Sequence, residues 1–142
     1  MVKRWHNDWL MKQDNVSEKP KRKRNPKSAR RKGHEFERKI AQELRDLGFP
    51  GVVTSRSESK SMDDKKVDLI DTEHKLNCLL QLKSTQATPN YFKIREECPI
   101  KDAPFCIIWR KIKPTDSTYR SEGEVVILDK DFFYKLIQNY YG

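Results

Sequence analysis

Four polar side chains in this sequence fall where apolar ones would be expected. In "LLQLKST" (Leu79–Thr85) the leucines read as a buried strand, yet Gln81 and Lys83 interrupt it at alternate positions. Strand side chains alternate faces, so these two point together, opposite Leu80 and Leu82. A glutamine and a lysine on the inner part of a sheet are costly unless something pairs with them. Upstream, Phe36, Ile40, Leu44 and Leu47 recur at helical spacing, and Glu37 falls about 100° from Phe36, inside that apolar sector. Arg38, Lys39, Arg45 and Asp46 fall outside it, and Glu43 at its border. A carboxylate on the buried side is rare unless it is paired or binds a metal. Asp68 opens "VDLI", where its ordinary role is a strand-end cap. If the two strands pair antiparallel, Asp68 comes to the end where Gln81 and Lys83 lie, and Glu37 on the covering helix completes the cluster.

That set suits magnesium-dependent phosphodiester cleavage. Carboxylates and a neutral amide oxygen hold a hard divalent ion that keeps several waters. The ion polarises the phosphoryl oxygen and activates a bound water. A lysine beside that water orients it or stabilises the developing negative charge. The structural alternative is a buried Glu37–Lys83 ion pair with Gln81 as hydrogen-bond filler, an arrangement that carries a desolvation penalty.

The elements that must position these residues follow from pattern. The spacing predicts a helix over "GHEFERKIAQELRDLGF", ended by Gly48, and a short strand at Val52 and Val53. A polar, serine-rich loop follows, then strands at "VDLID" and "KLNCLLQLKS". A short helix in "TPNYFKIREECP", strands at "FCIIWRKI" and "EVVILD", and a closing helix begun by Asp129 or Asp131 complete the chain. Phe132, Phe133, Leu136, Ile137 and Tyr140 on that last helix read as core packing, with part of the face spare for a second subunit. Three successive strands form a meander and the helix before "FCIIWRKI" is a crossover. The fold class is α/β: an αβββαβ core with a mixed central sheet flanked by helices and a C-terminal strand–helix extension.

Charge divides the chain differently. The net charge of the 142 residues is +9. Met1–Gly33 carries 12 Lys+Arg against 3 Asp+Glu, and the remaining 18 basic and 18 acidic residues cancel. Residues 1–30 therefore read as a basic, flexible arm and 31–142 as the folded domain. Lys21, Arg22, Lys23, Arg24, Lys27, Arg30, Arg31 and Lys32, with Arg56 in the serine-rich loop, are the expected DNA-phosphate contacts. Trp5, Trp9, Leu10 and Met11 make an apolar cluster of open purpose ahead of the arm. Cys78, Cys98 and Cys106 have no CxxC spacing and read as reduced, Cys78 and Cys106 as plain core residues. Scattered histidines argue against zinc. Without a secretory signal or membrane-length apolar run, a cytoplasmic protein is expected. A phage-encoded protein acting in a host cell would fit the short, lysine-rich composition.

"RRKGHEFERKIAQELRDLGF", a serine-bearing segment, "VDLI" and "LLQLKST", in that order, resemble archaeal-type Holliday junction resolvases and their phage relatives, in the PD-(D/E)XK nuclease superfamily. The likeness is clear over residues 30–86 and looser through "FCIIWRKI". It implies a restriction-endonuclease-like fold and a homodimer that binds four-way or other branched DNA and cuts it symmetrically with Mg²⁺, for which Mn²⁺ can substitute. Residue by residue, it implies metal-binding roles for Glu37 and Asp68 and a catalytic role for Lys83. The family's loop serine corresponds to Ser55, Ser57 or Ser59, with Ser57 preferred. One position departs: the usual (Glu/Asp)-x-Lys reads Gln81-Leu82-Lys83, so a metal-binding carboxylate has become an amide. Asp63, Asp64 and Glu73 could supply a compensating charge but sit in loops, where solvent exposure is expected. Two other functions fit the same residues: a non-catalytic DNA-binding module, or a restriction-like or nicking nuclease acting on duplex DNA.

Overall fold

The structure, a computed structural model, describes residues 25–58 and 60–142. Helix α1 spans Pro26–Asp46. Asn25 caps it by accepting a hydrogen bond from the Lys27 amide at 3.0 Å, and Pro26 follows at the first turn. The helix thus starts ten residues before Phe36 opens the apolar period, and Lys27 and Arg30 stand on helix within the span read as an arm. The "NP" start signal carried that information; the missing apolar period concealed it. At the other end Gly48 takes a positive φ of 105° and terminates the helix. Leu47 is the C-cap and is 74% exposed, so it does not extend the buried stripe of Phe36, Ile40 and Leu44.

Strand β1 (Val52–Thr54) leads into two short helices, α2 (Ser55–Glu58) and α3 (Lys60–Asp64), where a loop was expected. Strands β2 (Leu69–Asp71) and β3 (Leu79–Thr85) follow, then helix α4 (Tyr91–Glu97). Strands β4 (Phe105–Pro114) and β5 (Tyr119–Leu128) and helix α5 (Lys130–Tyr141) close the chain. Asp129 caps α5 by accepting from the Phe132 amide. The sheet has five strands in the order β1-β2-β3-β4-β5. β1, β2 and β3 form the antiparallel meander, and α4 returns the chain so that β4 runs parallel to β3. β5 pairs antiparallel with β4 and is longer than its apolar run suggested.

Each face of the sheet has its own core. Phe36, Ile40 and Ala41 of α1 pack on Val52, Leu69, Leu80, Leu82 and Cys106. On the other side Val67, Cys98, Phe105 and Ile107 are covered by Tyr91 and Ile94 of α4. The described cysteines are free thiols, with Cys78 packed on the first cluster. Arg95 holds the loop after α4, donating to the carbonyls of Ile100 and Ala103 at 2.6 and 2.9 Å. Helix α5 departs from expectation: Phe132 packs on the core, whereas Phe133, Leu136 and Tyr140 are exposed and none of its residues is fully buried. Among the described residues no helix is long and apolar enough to cross a membrane.

Phe36 fixes the level of Glu37 against the sheet. It is 1% exposed, and the Arg110 guanidinium lies 4.5 Å from its ring centroid. Phe36→Ala should lower stability by about 3–5 kcal/mol through the cavity it leaves. Urea unfolding with an unchanged slope checks this; a loss below about 1 kcal/mol would show that Phe36 does not anchor α1.

Candidate active site

Asp68 is the centre of the polar cluster, and the backbone holds it there. Its carbonyl accepts from the Ser55 amide at 2.8 Å, and its own amide donates to the Leu80 carbonyl at 2.9 Å. Its Oδ2 accepts from the Leu82 amide at 2.8 Å. The carboxyl therefore lies across the two residues that flank Gln81. Loss of hydration pushes its pKa up to about 6, only partly opposed by the Leu82 N–H. Within that value the negative charge of Glu37 acts upward, the ammonium of Lys83 downward and Asp63 upward. Three of the four polar residues singled out in the sequence thus interact electrostatically at one carboxyl.

Glu37 lies on the buried side of α1 at 9% exposure. Its partner is not Lys83. Arg56 of α2 donates from Nη2 to Glu37 Oε1 at 3.2 Å. Burial raises the Glu37 pKa, Arg56 opposes that through charge and hydrogen bond, and Asp63 adds to it. The other end of the guanidinium, Nη1, contacts Nε2 of His34, one turn before Glu37 on the same helix face. Together with Arg38, Thr54 and Ser57 these residues line a cavity of about 340 Å³. His34 did not stand out in the sequence, although its spacing of three from Glu37 was the available signal.

Gln81 is 5% exposed, and its Oε1 has no hydrogen-bond partner. By register Gln81 and Lys83 stand beside Ile107 and Trp109 of β4, on the face away from Leu80 and Leu82. Lys83 is half-buried. Among the described residues no three His, Cys, Asp or Glu side chains are grouped to hold a metal. The carboxylates that act on Asp68 are Glu37 and Asp63. Of the carboxylates that could replace a third one, Asp63 reaches the site electrostatically, while Asp64 and Glu73 are exposed.

The serines separate clearly. Ser57 is exposed; its hydroxyl donates to the Thr54 carbonyl at 2.8 Å and accepts from Thr54 Oγ1 at 3.1 Å. Ser55 is 1% exposed, its amide is bonded to Asp68, and its hydroxyl has no partner. Ser55 is therefore the serine tied to the cluster's backbone; Ser57 lines the neighbouring cavity. Ser59 lies outside the described residues, as do Lys21, Arg22, Lys23, Arg24 and the Trp5–Met11 cluster. Lys27, Arg30 and Arg31 are exposed on α1, and Lys32 lies 4.9 Å from the Tyr119 ring centroid.

The Asp68 environment has a measurable consequence for folding. A carboxyl whose folded pKa of about 6 exceeds its ordinary 3.8 binds more protons folded than unfolded between those values. Stability from this group is present below that window and is lost as pH rises through it, by roughly 3 kcal/mol in all. Urea unfolding at a series of pH values without divalent cations should show this decline, and Asp68→Asn should flatten it. An identical slope in the variant would remove Asp68 as its source.

The sequence matches the family model of archaeal Holliday junction resolvase (Hjc) over residues 28–100, just over half of the 142-residue chain. That span carries Glu37, Arg56, Asp68, Gln81 and Lys83 and stops before β4. No curated protein and no solved structure matches the chain significantly. An opening helix, a meander and a crossover to a parallel fourth strand are the restriction-endonuclease-like arrangement, and with that match the chain belongs to the archaeal Holliday junction resolvase family, nucleases that act on junction DNA.

Proposed function

We propose that this protein is a Mg²⁺-dependent endonuclease that hydrolyses phosphodiester bonds in four-way or other branched DNA, cutting as a homodimer. The observation that carries the reading is the Asp68 carboxyl, buried within electrostatic reach of a second carboxylate, Glu37, and of the Lys83 ammonium. A cation would relieve the repulsion between Glu37 and Asp68, and these two carboxylates suit a hard divalent ion; the unpartnered Gln81 Oε1 is the third donor we propose. When bound, Mg²⁺ supplies Lewis-acid polarisation of the phosphate and a water of lowered pKa. The ammonium of Lys83 stabilises negative charge developing on the phosphate. Ser55 fixes the start of α2, which carries Arg56, by the bond from its amide to Asp68. Support for a second subunit comes from exposed Val125 and Val126 on β5 and Phe133, Leu136 and Tyr140 on α5.

Gln81 favours one competing reading, a module that binds junctions without cutting them, because an amide brings no charge to the cation. Such a module would need Glu37 only to hold Arg56, and gives no reason for the mutual repulsion of Glu37 and Asp68.

Incubation with synthetic four-way junctions and linear duplexes, in Mg²⁺, Mn²⁺ or EDTA, tests the readings together. Cleavage confined to junctions and to the two metals is expected. Equal cutting of linear duplex would indicate a duplex nuclease, and binding without cutting in either metal a non-catalytic module. Glu37→Ala and Lys83→Ala should each abolish cleavage while junction binding persists; activity in either variant would remove that residue from the site. Gln81→Glu should lower the Mg²⁺ concentration giving half-maximal rate, since a charged oxygen binds the ion more tightly than an amide. An unchanged requirement would place Gln81 outside the metal's reach. Removing residues 1–24, which stops short of the α1 cap, should reduce the salt dependence of junction affinity, because fewer lysines and arginines then displace counterions from the phosphates. An equal slope would exclude that segment from the DNA.

A further inference from the structure

We propose that His34 is a positioning residue for a phosphate-binding subsite: with Glu37 it holds the Arg56 guanidinium at two nitrogens, so that Arg56 and Arg38 face a DNA phosphate next to the one being cut. This rests on the nuclease reading above, since it takes the cavity beside Glu37 to be part of a DNA surface.

The chemistry of the cavity points to an anion. Its roughly 340 Å³ are lined by two guanidinium groups, two hydroxyl residues, one imidazole and one carboxylate. The carboxylate is already engaged by Arg56 at 3.2 Å, which leaves the Arg38 guanidinium as the one positive charge in excess. The Thr54 and Ser57 hydroxyls bond to each other and fix the corner between β1 and α2 from which Arg56 projects.

The role of His34 follows from what Arg56 would do without it. The Arg56 side chain is 45% exposed, and an exposed arginine tied at one atom keeps most of its rotamer freedom. Here Nη2 bonds Glu37 and Nη1 meets Nε2 of His34, both acceptors displayed by one turn of α1. A guanidinium has five N–H donors in a rigid fork, so two can be tethered while others remain for a phosphate oxygen. To accept, the imidazole must be unprotonated at Nε2. Burial, and then the charges of Arg56, Arg38 and Arg30, shift His34 towards that neutral form, with Asp63 opposing. Neutralising Glu37 would require Arg56 alone; the imidazole adds only orientation. Pre-orientation of this kind strengthens binding by reducing the freedom lost when the phosphate arrives.

The test uses the full chain and a labelled four-way junction, with anisotropy titrations in EDTA over a range of NaCl and cleavage kinetics in Mg²⁺. Arg56→Ala should weaken junction binding about tenfold and lower the salt slope by about one. His34→Ala should raise Kd and KM about three- to tenfold with kcat within about twofold, as expected when one phosphate ligand is no longer held in place. His34→Gln, whose amide oxygen can still accept, should restore Kd to within about twofold. The double variant should bind no worse than Arg56→Ala alone, because His34 acts only through Arg56. Wild-type binding by His34→Ala, equal damage from the alanine and glutamine variants, or an additive double variant would each overturn the proposal. Should His34→Ala melt at a lower temperature, the glutamine variant and the Arg56 comparison still decide the matter. A wild-type protein that binds junctions without cutting them would sink the nuclease reading instead, and the EDTA titrations would still test His34 in the same way.

Discussion

The hydrogen bond from the Leu82 amide to the Asp68 carboxylate, 2.8 Å long, is the constraint on which the rest of the cluster depends. β2 has only three residues and pairs with β3 through a single matched position, Leu69 with Leu80. A strand contact that short leaves backbone donors of β3 without a ladder partner, and a buried N–H must find one. Asp68 supplies it with a side chain. The fold thereby brings a carboxylate to the edge of β3 beside Gln81, and that carboxylate stays there because the sheet needs its acceptor. Structure and candidate chemistry draw on the same group.

Helix α1 has a comparable double duty. One face buries Phe36, Ile40 and Ala41 and holds the helix on the sheet; the adjoining strip presents His34, Glu37 and Arg38. Because successive residues turn through about 100°, packing of Phe36 sets the direction of Glu37. The basic residues earlier on α1 share that rigid body. DNA drawn to Lys27, Arg30 or Arg31 is therefore held on the same helix that carries the proposed metal-site glutamate.

How much of this could be read from residues alone varied with how local the cause was. The αβββαβ order was visible because each element carries its own period or its own breakers, such as Pro89 and Pro99 around α4. Glu37 was visible because a helix wheel needs only its neighbours. What depended on distant partners was hidden. Arg56 looked like one more loop cation until the fold set it against α1, and the Glu37–Lys83 pair considered from sequence is replaced by Glu37–Arg56. The stretch from Ser55 to Asp64 looked like a loop because it lacks an apolar period, yet it forms two short helices. The first of them is held by Asp68 at Ser55 and by α1 at Arg56 rather than by helix propensity. β5 was underestimated because its first half is polar and is held by the hairpin ladder to β4, while Lys39 reaches Glu124 from α1. The exposed stripe of α5 looks the same in sequence whether the body of the chain covers it or leaves it bare.

Gln81 can be understood from the same electrostatics. Asp68 already feels two other carboxylates, Glu37 and Asp63, and its pKa stands near 6 in consequence of them and of burial. On the proposed site, a carboxylate at position 81 would add like charge to that of Glu37 and Asp68. In the cation-free protein that would raise the carboxyl pKa values further and cost stability over the neutral range. An amide avoids that cost and keeps an oxygen in place, at the expense of attraction for a cation. Arg56 acts in the same direction, neutralising Glu37 from the other side. The cluster is thus biased towards stability without the ion. On the proposed function a cation would share Glu37 with Arg56, whose Nη2 already holds Oε1, so cation occupancy and guanidinium position are linked.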